Sequence, residues 1–457
     1  MSRFLEDYYG TKEMRAVFTD EHRLQCMLDV EVAIAHATAD CGLIPAEAAD
    51  LIAGSAKVSE MDLDRVQADV VRTGGHPIMG LLYELERIVP KGAAEYVHWG
   101  ATTQDIVDTA MVLQLKSASD LIYRDLLRLE RTLVSLAEEH KDTVMAGRTH
   151  GQHAVPTTFG FKVAVWAREA HRHVVRLEQI APRLFLGSLS GGVGTLASLG
   201  AERDKVLARV MEILDLRVSD IAWHTARDHI AEFASICGMI CATNSKMCRE
   251  IANLMRTEID EVEEPFHPGK IGSSTMPQKR NPMMCENVMA VEKLCRRLVS
   301  AAAEAMMQEH ERDLACWMTE WTVIPEVCDL TSRSLANTNF VMQNLVVKPE
   351  RMREALWTKG GMIFAESAMM VMAPKLGRQR AHEIVYEACM KAATTGKSLE
   401  DALREEPTFR ANMSEDELRS IFECHRYVSS ASETVQRVVD GARSGWARFQ
   451  QDPDKVG

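Results

Sequence analysis

Residues 226–260 read ARDHIAEFASICGMICATNSKMCREIANLMRTEID, a stretch without proline. Its apolar side chains (Ile230, Phe233, Ile236, Met239, Ile240, Met247, Ile251, Leu254, Met255) recur at helical spacing, yet they cover more of the helix than one packing face requires. A helix wetted along one side is not built this way. The stretch therefore predicts a rod at the centre of a large helical bundle, buried further by other copies of the chain.

Two more proline-free segments, about 106–141 and 158–181, and a fourth running from about Met283 to Met307 after Pro282, extend the pattern. At 1.5 Å per residue such rods span about 40–50 Å, longer than a compact monomer of this size offers. Residues 20–54 predict a helix, a break from Gly42 to Pro45, and a second helix from Ala46. Strand signals are almost absent. After Pro349 shorter amphipathic segments, such as 378–396 and 415–424, mark a small C-terminal helical domain. The fold class expected is all-α.

With 457 residues, 46% hydrophobic and 26% charged, the chain can bury a large core. The start, Met1 to Tyr9, lacks the basic residues and apolar run of a signal peptide, and no stretch approaches the roughly 20 apolar residues of a membrane span. No membrane partner and a cytoplasmic address are expected. A formal charge of −13 argues against a nucleic-acid partner and requires any anionic substrate to find a locally positive pocket. Lys270, Lys279 and Arg280 are where the sequence offers one. The 11 cysteines form no CxxC pair, and several sit in apolar helical surroundings, so free buried thiols are expected; the 26 methionines suit helix packing.

Three irregular segments carry candidate chemistry. Gly-Ser-Ser-Thr-Met-Pro-Gln-Lys-Arg-Asn-Pro at 272–282, with a further glycine at 269, cannot sit in a helix. Its hydroxyls, its Lys279 and Arg280 charges and its Asn281 amide suit a carboxylate-bearing ligand. The segment from Tyr96 to Asp105 sets Thr102, Thr103 and Gln104 just before a long helix, where free N–H groups favour an anion; a plain N-cap is the alternative. The segment from Gly147 to Pro156, read as a loop between two helices, carries His150 and His153, and His76 lies in Thr73-Gly74-Gly75-His76-Pro77. No cysteine or carboxylate at ligand spacing accompanies the histidines, so no metal is expected. Gly191-Gly192-Val193-Gly194 lacks a preceding strand and reads as a turn, which leaves no nucleotide-binding loop and no cofactor in view.

The 272–282 segment resembles the signature of the fumarase/aspartase superfamily, and the loops at 98–105 and 147–156 resemble its other two active-site segments in order and spacing. The likeness spans the chain. It implies a three-domain protomer, with an N-terminal helical domain at 1–105, a central long-helix domain at 106–349 carrying the signature loop 269–282, and a C-terminal domain at 350–457. It further implies a twenty-helix core in a homotetramer whose active sites each draw on three subunits. The chemistry implied is removal of a proton beside a carboxylate of a small succinyl-type dicarboxylate, through an aci-carboxylate, with loss of the neighbouring amine or oxygen. By the same resemblance Ser273 is the base, His150 serves the leaving group and His76 assists. Thr102, Thr103, Lys279 and Asn281 bind the substrate's carboxylates, and Gln104, Thr149, Gln152, Arg227, Ser274 and Met276 complete the binding set.

The Arg148-Thr149-His150-Gly151-Gln152-His153 segment looks like adenylosuccinate lyases, whereas Gln308 to Trp321 and Trp223 to Asp228 look like 3-carboxy-cis,cis-muconate cycloisomerases. Asp7-Tyr8-Tyr9 stands where adenylosuccinate lyases hold an Arg-Tyr pair for phosphate. The resemblance thus implies a lyase that cleaves a C–N bond of an N-substituted aspartate and releases fumarate. A lactonising cycloisomerase and a non-catalytic member of the fold are the alternatives.

Overall fold

The computed structural model describes residues 4–266 and 275–446, and five long helices dominate it. Ahead of them lie α1 (Asp20–Asp40) and α2 (Pro77–Ile88). The rods themselves are α3 (Thr103–Glu139), α4 (Phe159–Leu184), α5 (Asp228–Leu254), α6 (Met283–Glu304) and α7 (Leu314–Gln343). Helices Ala365–Leu376, Arg378–Thr395 and several shorter ones follow, and α8 (His425–Gly445) closes the described chain.

Hydrogen bonds between rods show how they run. Cys241 meets Thr331, Asn244 meets Ser334 and Cys248 meets Thr338, each pair 90 residues apart, so α5 and α7 lie parallel and in fixed register. Contacts between α3 and α4 run the other way, Tyr123 to Glu178 and His171 to Glu130. Rods α3, α5 and α7 therefore point one way, and α4 and α6 return. The N-termini of α3, α5 and α7 share one end of the bundle.

The expected long rods are present, and α5 buries Ile230, Phe233, Ile236, Ile240, Met247, Ile251 and Leu254 within a single protomer. Met239 on α5 is 40% exposed, joined by Leu294 and Met283 on α6 and Val165 on α4, so apolar surface remains on the rods. Helix α7 is not a proline-free segment, since Pro325 lies inside it, and Pro182 likewise sits within α4. Packing on neighbouring rods holds each helix together across the missing N–H donor. All 11 cysteines are free, with Cys237, Cys241, Cys248, Cys285, Cys295 and Cys328 buried in the rods.

The segment from Gly147 to Pro156 is not an irregular loop. Strands β1 (Val144–Thr149) and β2 (Gln152–Thr158) pair antiparallel as a hairpin between α3 and α4, with a register shift between Ala146 and Arg148. Gly and His at its tip hid the strands from a pattern search, since the pairing is short and partly supported by the C-terminal region. Val144 and Ala146 pack in the same cluster as Phe364, Ile384 and Leu403. Conversely, Val435, Val439 and Ala442 of α8 join the rod core, and Leu189, Val206 and Val210 join the N-terminal cluster. Among the described residues no helix is long and apolar enough to cross a membrane.

Arg227, expected to contact substrate, lies in the core instead. Arg227, 1% exposed, bonds both carboxylate oxygens of Asp108 (2.7 and 3.1 Å) and pairs with Glu320. Burial opposes its charge, but Asp108 and Glu320 more than offset that and hold its pKa above the usual arginine value. Glu320 is pushed up by its own burial. The Gln104 amide nitrogen donates to Asp108 (3.1 Å) and to the His224 carbonyl (2.9 Å). The sequence cannot show that the guanidinium is already consumed by two carboxylates distant along the chain.

Arg227→Met leaves Asp108 and Glu320 buried without their cation, and breaking such a pair costs about 3–5 kcal/mol. The urea unfolding midpoint should drop accordingly; an unchanged midpoint would contradict this account of the network. A second buried carboxylate gives a pH-dependent expectation. Glu130, 1% exposed, has its pKa raised to about 8 by burial and by the nearby Glu178 charge, and lies 2.7 Å from His171 Nδ1. The folded state keeps a proton that the unfolded chain releases near 4.5, so stability declines as pH rises from about 4.5 to about 8. Glu130→Gln should remove that decline, matching the parent at low pH and exceeding it above pH 8 in unfolding titrations.

Candidate active site

The first cluster of candidate residues sits at the N-terminus of α3. Asp105, fully buried, is its anchor: it accepts from the N–H groups of Thr102 (3.0 Å), Ser190 (2.8 Å) and Gly191 (2.9 Å) and lies 2.8 Å from His224 Nε2. One carboxylate thus pulls the 188–191 turn against the helix start. Gly191 has φ +73°, a left-handed conformation that glycine adopts without strain. The glycine-rich segment is the turn its sequence suggests.

Arg312, on the turn before α7, donates to the Thr102 hydroxyl (3.1 Å) and to the Gly192 carbonyl (3.1 Å), and its buried Nε has no partner among the described residues. His76, the residue before α2, lies 5.9 Å from the Trp317 ring and 6.0 Å from Trp321. Burial lowers the His76 pKa, and the Arg312 charge lowers it further, which favours a neutral imidazole at neutral pH. Its Nδ1 is buried and unpaired among the described residues, as are Trp321 Nε1, Gln308 Oε1 and Gln104 Oε1. Orphaned buried polar atoms are rare in proteins, and their concentration here marks a place for a polar ligand. Thr103, half-buried beside them, has a hydroxyl free of partners among the described residues. His98, next to this cluster in the chain, is held by Glu31 at 2.7 Å; burial disfavours its charge, but Glu31 leaves its pKa raised.

The second cluster lies at the opposite end of the bundle. Thr149, His150 and Gln152 form the exposed tip of the hairpin. His150 has φ +52° and Gly151 φ +76°, so the tip turns through two left-handed residues, histidine being one of the few side chains enriched in that conformation. The His150 ring bonds no described residue. Arg148 ties the hairpin to buried Glu261 (2.5 and 3.0 Å), and Lys348 bonds Asp260 and Glu263 close by. Met276 and Lys279 are exposed on the segment leading to α6, with Asn281 half-buried. Arg280, expected to add free positive charge, is instead paired with Glu263 (2.7 Å). Ser273, Ser274 and Lys270 lie outside the described residues.

The protomer therefore gathers Thr102, Thr103 and His76 at one end and His150, Thr149, Gln152, Met276, Lys279 and Asn281 at the other. Helix α3 separates the two groups: its 37 residues amount to roughly 55 Å of helix. Sequence reasoning passed over Asp105 and Arg312 as site residues. Asp105 could have been suspected as the third residue after a Thr N-cap, the capping-box position; Arg312 lies in the Gln308 to Trp321 stretch likened to cycloisomerases, but its residue type alone assigned it no role. Among the described residues no group of three or more His, Cys, Asp or Glu is placed to hold a metal.

Comparison with known proteins agrees with this architecture. A family described as Lyase matches residues 8–299, and one described as Adenylosuccinate lyase C-terminus matches 361–438. The chain is 39% identical to an N-acetyl-S-(2-succino)cysteine lyase of Dickeya dadantii, over 94% of each chain. It is 42% identical to an adenylosuccinate lyase of Methanothermobacter thermautotrophicus, over 95% of this chain and 98% of that one. The crystal structure of the 3-carboxy-cis,cis-muconate lactonizing enzyme from Pseudomonas putida superposes with a TM-score of 0.90 at 36% identity, covering 98% of this chain and 100% of the other. With these relatives, its helical rods and its three motif segments, the chain belongs to the fumarase/aspartase superfamily of lyases, in the adenylosuccinate lyase and 3-carboxy-cis,cis-muconate cycloisomerase branch.

Proposed function

We propose that the protein releases fumarate from a succinyl-type substrate by anti β-elimination of a heteroatom leaving group. Nitrogen, as in an N-substituted aspartate, is the leaving atom implied by the likeness of the Arg148-Thr149-His150 segment to adenylosuccinate lyases; the succinylcysteine lyase relative widens the class to sulfur. The observation that carries this reading is the segregation of roles between the two ends. One end presents anion-receiving groups around the start of α3, and the other presents a histidine at an exposed left-handed turn, its ring bonded to no described residue. Neither end alone is a catalytic site.

The reading brings the ends together from different copies of the chain, in a homotetramer with a twenty-helix core. Exposed Met239, Leu294, Met283 and Val165 on the rods support such an assembly. In the assembled site Ser273 takes the proton from the carbon beside a carboxylate. Thr102, Thr103, Lys279 and Asn281 stabilise the charge that then gathers on that carboxylate, each such donor contributing roughly 3–4 kcal/mol to the transition state. His150 protonates the departing heteroatom, and neutral His76 lies against the same substrate. By the resemblance, Thr149, Gln152, Ser274 and Met276 complete the binding set. No cofactor enters the reaction.

A lactonising cycloisomerase is the second reading. Trp317 and Trp321 beside His76 favour it, since this stretch is the part of the chain most like those enzymes. The two readings differ in product. Purified protein incubated with N-succinyl and S-succinyl compounds should release fumarate, followed by ultraviolet absorbance, with Ser273→Ala reducing kcat at least 1000-fold, an order-of-magnitude expectation for loss of an activated base acting with its partners. Lactone formation from 3-carboxymuconate without any fumarate release would replace the proposal with the second reading.

A further inference from the structure

The run Asp260-Glu261-Val262-Glu263-Glu264, which follows α5, places four carboxylates close together. Its Val262–Glu263 pair is strand β3, antiparallel to β4 (Val346–Val347), which comes after α7. Like charges this near repel, and here each is matched by a cation or a helix start. Asp260 takes Lys348 (2.5 Å), and Glu261 takes Arg148 (2.5 and 3.0 Å), the residue before Thr149 and His150. Glu264 accepts from the N–H groups of Met284 (3.3 Å) and Cys285 (2.7 Å), which the first turn of α6 cannot bond itself. Glu263 takes Lys348 (2.5 Å) and Arg280 (2.7 Å).

Arg280 lies between Lys279 and Asn281 in the chain, and its guanidinium also stacks over the Phe266 ring, 4.7 Å from the centroid. The ion pair sets the direction of the side chain and the ring sets its plane. Around it the backbone makes two turns, Lys279 N–H to the Met276 carbonyl (3.1 Å) and Met283 N–H to the Asn281 carbonyl (2.9 Å), which Arg280 ties to β3. We propose that Arg280 is a positioning residue: clamped by Glu263 and Phe266, it holds Lys279 and Asn281 in register with the hairpin that Glu261 fixes through Arg148. This rests on the elimination reading above and adds to it a residue that touches no substrate. Magnitudes separate positioning from stability. The Arg280 side chain is 53% exposed and Phe266 42%, so the clamp contributes little to folding, whereas donors displaced by about 1 Å slow a reaction about 100-fold.

The test measures fumarate release from the same N-succinyl and S-succinyl compounds, with thermal unfolding alongside. Arg280→Gln should lower kcat about 100-fold, with KM within about threefold of the parent and Tm within about 2 °C. Glu263→Gln, which leaves Lys348 its Asp260 partner, should lose as much, and the double variant should be no worse than either single one, because one clamp is broken in all three. Arg280→Lys, which keeps the charge, should recover about tenfold of the loss. An unchanged kcat in Arg280→Gln, a rise in KM alone, or losses that multiply in the double variant would overturn the proposal, the second by making Arg280 a substrate contact. A Tm lowered by more than about 5 °C would overturn it too, by assigning the loss to unfolding. If the parent releases fumarate from none of the compounds, the elimination reading fails on its own, and amide hydrogen exchange over residues 275–283 decides the clamp. Faster exchange there in both single variants, with the rods unchanged, sustains it; exchange as slow as in the parent rejects it.

Discussion

A straight helix cannot fold back on itself, and α3 makes that constraint decisive. Its 37 residues hold Thr102 and Thr103 roughly 55 Å of helix from the hairpin that carries His150. Every other rod conforms: α5 and α7 run with α3 in fixed register, and α4 and α6 carry the chain back. Anion-receiving groups and the exposed histidine therefore occupy opposite ends of each protomer. In the proposed function, the chemistry that needs both draws on more than one copy of the chain.

Buried charge fixes the geometry at the first end. Asp105 joins the start of α3, the 188–191 turn and His224, and one helical turn further Asp108 joins Arg227, Gln104 and Trp317. Such carboxylates are costly to bury, and each is compensated by several donors. The consequence is stiffness: Thr102, held through its N–H by Asp105 and through its hydroxyl by Arg312, has little freedom left. Rigidity of this kind keeps donors aimed at a carboxylate before it arrives. The neighbouring orphaned atoms of His76, Arg312 and Trp321 show the same end from the ligand's side.

Much of this was legible in the sequence because helical periodicity is local. The rods of α3, α4, α5 and α6, the break at Gly42 to Pro45 and the C-terminal helices after Pro349 follow from residue spacing alone. Helix α7 did not, because Pro325 breaks the local rule and packing on α6, α3 and α5 restores it. The β1–β2 hairpin was hidden for a similar reason, its strands depending on partners far along the chain. The motif segments were visible as departures from helical pattern, but the states of their side chains were not. Arg227 looks in sequence like any arginine near a site, and only the folded chain shows Asp108 and Glu320 consuming it. Arg280 is likewise spent on Glu263. Arg312, part of the Gln308 to Trp321 stretch but given no role there, stands beside Thr102.

The central claim, that the two ends meet between different chains, is tested most directly by mixing two inactive variants. Thr103→Ala removes a group from one end and His150→Ala from the other. Assemblies formed from both chains together should recover a substantial part of the parent activity, because some sites then combine an intact Thr103 from one chain with an intact His150 from another. Mixed assemblies as inactive as either variant alone would contradict the account.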